Sequence, residues 1–122
     1  MTRAGSAMTS STRLIWLGLA ALPYLALAGV DAWMHEQARK VPALERAIHY
    51  VSAVALIGFI VGALRDQRSL AVPCLAVFVA LLAFDETGFH ARIASSERRL
   101  HLAAYGALAV FIAVWQWTVS HT

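Results

Sequence analysis

One cysteine, Cys74, occurs in the 122 residues, so the chain has no partner for an intrachain disulfide and no thiolate metal cluster of its own. It sits inside an apolar run, where a packing role is expected. Charged residues are scarce, 14% against an apolar share of 60%, a balance far outside that of soluble domains. The ten Lys and Arg residues leave a net charge of +3 but are scattered around apolar runs, with no aromatic-interleaved basic surface. That pattern speaks against nucleic acid as a partner and fits cationic ends meeting lipid headgroups. No Gly-x-Ser-x-Gly segment is present, which removes the nucleophile elbow of the hydrolases. Proline is limited to Pro23, Pro42 and Pro73. The first and last fall inside apolar runs, where a kink is expected rather than a binding element.

What is abundant is uninterrupted apolar sequence. Four stretches, Leu14 to Val30, His49 to Leu64, Ser69 to Phe84 and Leu100 to Ser120, contain no Lys, Arg, Asp or Glu. A helix needs roughly 17–25 residues to cross the hydrocarbon. Two of the runs have 16 residues and reach that length with their flanks. The expected fold is therefore an all-α membrane protein, a bundle of four transmembrane helices. The first run, preceded by Arg3 and Arg13 and ending in Ala26-Leu27-Ala28-Gly29, has the outline of a signal peptide. Cleavage there would remove most of the helix that carries Asp31 and His35, so a spanning helix is the preferred reading. Residues 1–12, rich in Ser and Thr, are expected to form a mobile tail ahead of one domain over 13–122.

A duplicated pattern runs through this domain. Glu45-Arg46-Ala47-Ile48-His49 and Glu97-Arg98-Arg99-Leu100-His101 share the form Glu-Arg-x-aliphatic-His, each just before an apolar run. Superposing them without a gap also pairs Ala55 with Ala107, Leu56 with Leu108, Phe59 with Phe111 and Ile60 with Ile112. The chain thus reads as two related helical hairpins, about 14–64 and 69–120, in a parallel internal repeat. Pro42 suits the start of one tetrad helix and Ser95 or Ser96 the cap of the other. Upstream of each tetrad stands a further acid-x-x-x-His element, Asp31 to His35 and Glu86 to His90.

Residues four apart on a helix share a face, so each acid and its His project together. Helices one and three end with such pairs and helices two and four begin with them, which puts all eight groups on one side of the membrane. The candidate metal ligands are Asp31, His35, Glu45, His49, Glu86, His90, Glu97 and His101. Asp85 is the alternative to Glu86. It is set about 140° from the His90 direction on an ideal helix, but a distortion at Gly88 could bring it inward. Glu36 is placed to pair with Lys40, Arg98 or Arg99 with outer carboxylates, and His121 is expected to stay uninvolved. Tyr50 and Tyr105 are read as neighbours of the ligands or as core. Trp33 on the site side, and Trp16, Trp115 and Trp117 on the other, read as interfacial belts.

Four carboxylates with four imidazoles suit two divalent ions, iron before manganese or zinc. The layout resembles the ferritin-like diiron-carboxylate bundles in ligand types and bundle setting. It departs from them in a spacing of four rather than three, in a His on all four helices and in crossing a membrane. The expected function is a membrane-embedded di-metal protein, an enzyme oxidising or hydrolysing an amphipathic or lipid-like substrate. The alternatives are a b-type haem protein passing electrons, and a non-catalytic metal carrier, sensor or zinc module. The expected location is an integral membrane protein of a bacterial inner membrane. Six cationic residues on the site side against four on the other leave its orientation undetermined.

Overall fold

The computed structural model describes the backbone of residues 7–38, 42–88 and 95–121, and the side chains of 7–34, 42–87 and 98–121. Among the described residues there are four helices and no strand: α1 Ser10–Ala38, α2 Ala43–Leu64, α3 Arg68–Gly88 and α4 Ser95–Ser120. Each contains an apolar span long enough to cross a membrane, Ser10–Met34, Ala43–Leu64, Arg68–Thr87 and Arg98–Ser120. The shortest has 20 residues, about 30 Å at 1.5 Å per residue, which matches the hydrocarbon thickness.

Local chemistry sets the helix ends. The Thr9 hydroxyl accepts the Thr12 amide at 3.3 Å and the Thr9 carbonyl accepts the Arg13 amide at 3.0 Å, so Thr9 caps α1. The helix therefore starts inside the segment expected to be a tail, because a cap can order polar residues that precede the apolar run. Pro42 is the N-cap residue of α2 rather than part of its first turn, and its carbonyl accepts the Arg46 amide at 3.0 Å. Both α1 and α3 continue as α-helix through Pro23 and Pro73. At the end of α2, Asp66 takes the left-handed conformation with φ 57°. The Gln67 amide then reaches the Gly62 carbonyl at 2.8 Å and the Asp66 amide the Ala63 carbonyl at 3.4 Å. This is a Schellman cap, and it turns the chain into α3 within three residues.

The chain divides into two compact units, and each takes one helix from each half of the sequence. One comprises α1 up to Asp31 and α4 from Arg99; the other runs from Ala32 to Arg98 and contains the α2–α3 hairpin. In the hairpin, a Cβ on Gly62 would stand 2.7 Å from the Ala71 nitrogen, and one on Gly58 2.6 Å from Cys74 Sγ. The two glycines, four residues apart, let the backbones approach as small residues do at membrane helix interfaces. Cys74 accordingly packs against the Gly58 backbone, as expected of it.

In the other unit the Met8 amide donates to the His121 carbonyl at 3.1 Å, and Trp16 meets Trp117 edge-on with ring centres 6.1 Å apart. The start of α1 thus adjoins the end of α4. His121 also closes α4, its Nδ1 lying 2.8 Å from the Trp117 carbonyl.

Buried positions recur every three or four residues: Leu17, Ala21 and Tyr24 on α1; Ala55, Phe59 and Gly62 on α2; Ala71, Phe78 and Asp85 at seven-residue steps on α3; His101, Ala104, Leu108, Phe111, Trp115 and Thr118 on α4. That is the stripe of helices packed along one face. Trp115 falls in it and is 3% exposed, which takes it out of the expected interfacial belt. Trp16, Trp33 and Trp117 remain exposed. Large apolar side chains such as Ile15, Leu22, Val54 and Ile57 point outward, as lipid-facing surface requires.

Candidate metal centre

The first Glu-Arg-x-aliphatic-His tetrad occupies the opening turns of α2. Glu45 is the third residue of the helix, where the unsatisfied amides and the positive end of the helix dipole favour a carboxylate. Its side chain is 0% exposed. His49 follows one turn later on the same face. From the antiparallel α3, Asp85 completes the group: the His49 Nε2 lies 3.2 Å from Asp85 Oδ2. One ligand atom from each of Glu45, His49 and Asp85 lies within 4.8 Å of the others.

Those separations suit one ion. Ligands about 2.1 Å from a common metal stand roughly 3.0 Å apart when adjacent and about 4.2 Å apart when opposite. Two carboxylates with an imidazole form a donor set that suits a divalent cation. The His49 side chain is 37% exposed, so the group is not sealed.

The acid that α3 contributes is Asp85; Glu86 is half-buried and lies outside this group. Asp85 continues the buried stripe one heptad after Phe78 and two after Ala71, whereas Glu86 is turned about 100° from it. Spacing from His90 favours Glu86, and the seven-residue spacing from Phe78 and Ala71 favours Asp85, the acid grouped with Glu45 and His49.

Two other candidates meet in the α1–α4 unit. His101, buried near the start of α4, has its Nε2 2.8 Å from Asp31 Oδ1 on α1. The Tyr105 ring lies 6.1 Å from the His101 ring, a turn deeper along α4. Tyr50 is exposed and belongs to neither group. His90 and the side chains of His35, Glu36, Lys40 and Glu97 lie outside the described residues. No family model, no curated protein and no solved structure matches this chain.

Proposed function

We propose that the chain is a membrane-embedded metal protein whose divalent ion is held by Glu45, His49 and Asp85. The observation that carries this reading is the convergence of two carboxylates and an imidazole from α2 and α3 within 4.8 Å, at the end of apolar helices. Iron is the favoured ion because a carboxylate-rich set with one imidazole suits it, with manganese and zinc next. Bound there, such an ion would polarise a bound oxygen atom or lower the pKa of bound water. Because the ligands sit at membrane helix ends beside exposed apolar side chains, an amphipathic or lipid-like substrate is the best match for an enzyme of this kind. Oxidation and hydrolysis are both open to it.

The test is elemental analysis of the full chain, purified in detergent from cells supplied with iron, manganese and zinc. Wild type should retain at least one ion per chain after desalting, and His49→Ala should retain one ion fewer than wild type. Wild-type protein that returns no metal under these conditions overturns the reading. Ion retention unchanged by His49→Ala does the same for the assigned ligands.

A further inference from the structure

We infer that Asp31 and His101 bind a second ion of the same class inside the α1–α4 unit, so that each compact unit holds its own metal site. The inference rests on the metal reading of Glu45, His49 and Asp85. It adds a second site with its own ligands.

Three observations carry it. The first is the pairing itself: His101 Nε2 stands 2.8 Å from Asp31 Oδ1, close to the roughly 3 Å between adjacent ligands on one ion. His49 and Asp85 make the same kind of pair at 3.2 Å in the other unit. In both cases the imidazole comes from the first turns of one helix and the carboxylate from the last turns of an antiparallel neighbour.

The second is register. Asp31 follows buried Tyr24 by one heptad and buried Leu17 by two, and Asp85 follows buried Phe78 and Ala71 by the same steps. The two aspartates therefore occupy one position of one recurring stripe. The third is the repeated tetrad: Glu97 precedes His101 in α4 as Glu45 precedes His49 in α2, one turn earlier on the helix. The local sequence around the two histidines, Glu four residues before His in the opening turns of a helix, thus recurs.

The two sites differ in access. The His101 side chain is 6% exposed against 37% for His49. An ion at Asp31 and His101 should exchange with a chelator more slowly.

Cobalt(II) titration of the full chain in detergent micelles tests this, with visible absorption and elemental analysis after desalting as readouts. Wild type should bind two ions, Asp31→Asn and His101→Ala one each, His49→Ala one, and His49→Ala/His101→Ala none. Asp31→Asn keeps the side-chain volume, and unchanged helicity by circular dichroism shows that the fold survives. One ion in wild type, lost in His49→Ala but kept in Asp31→Asn and His101→Ala, overturns the second site and leaves the first. Loss of both ions in His49→Ala and in His101→Ala alike overturns the separation into two sites. A wild type that binds no cobalt overturns the metal reading itself.

Discussion

At the scale of single residues, the choice between Asp85 and Glu86 shows how one step of helix rotation assigns chemistry. Neighbouring residues differ by about 100° around the axis, so when one of two adjacent acids faces Glu45 and His49 on α2 the other is turned away. Asp85 lies in the group with Glu45 and His49. Asp85→Asn keeps the shape and removes the anionic oxygen, and metal affinity should fall on the order of 100-fold, since even outer-shell partners cost 10–100-fold. Glu86→Gln should change it less than about threefold. Competition with a chromophoric chelator measures both, and the reverse order would mean that α3 is rotated from the placement found here. The sequence contained both acids and their helical spacing. It did not say which reference residue fixes the register, the His that follows or the buried Ala71 and Phe78 that precede.

Among the elements, the α2–α3 hairpin depends on the absence of side chains at two points. Gly62→Ala would put a Cβ 2.7 Å from the Ala71 nitrogen and 2.9 Å from its Cα, backbone atoms that cannot swing aside. We expect a loss of about 1–3 kcal/mol, as overpacking elsewhere costs. Gly18→Ala in α1, where nothing lies within 4 Å, should instead be neutral or gain about 0.5–1 kcal/mol. Thermal melts in one detergent compare the two, and equal effects would rule out the close approach as the cause.

Gly58→Ala meets a side chain instead, Cys74 Sγ at 2.6 Å, with the Cys74 Cβ at an ordinary 3.5 Å. Cys74→Ala should therefore rescue most of the loss, a coupling that a double-mutant cycle reads directly. The connecting turn offers a gain: Asp66 holds φ 57°, and Asp66→Gly removes the left-handed penalty, raising stability by about 1 kcal/mol.

For the whole molecule, the prediction is that all four apolar helices cross the membrane in alternating directions, which would bring the start of α1, the α2–α3 turn and the end of α4 to one side. In a Cys74→Ala background, Gln67→Cys and His121→Cys should react with a membrane-impermeant maleimide from the same face of sealed vesicles. Leu44→Cys, at the start of α2, should react only from the other. Labelling of Gln67→Cys and Leu44→Cys from one face would remove α2 from the set of spanning helices. The membrane helices and the acid–His spacing were legible from the sequence because both are local: apolar transfer is summed residue by residue, and a helix of known pitch sets which neighbours share a face. Pairing was not, since Asp31 meeting His101 and Asp85 meeting His49 depends on which helices pack together and how each is rotated about its axis. Contacts between distant segments decide that, such as the approach of Gly62 to Ala71, and so the tertiary structure alone divided the acid and His residues of each sequence half between two units.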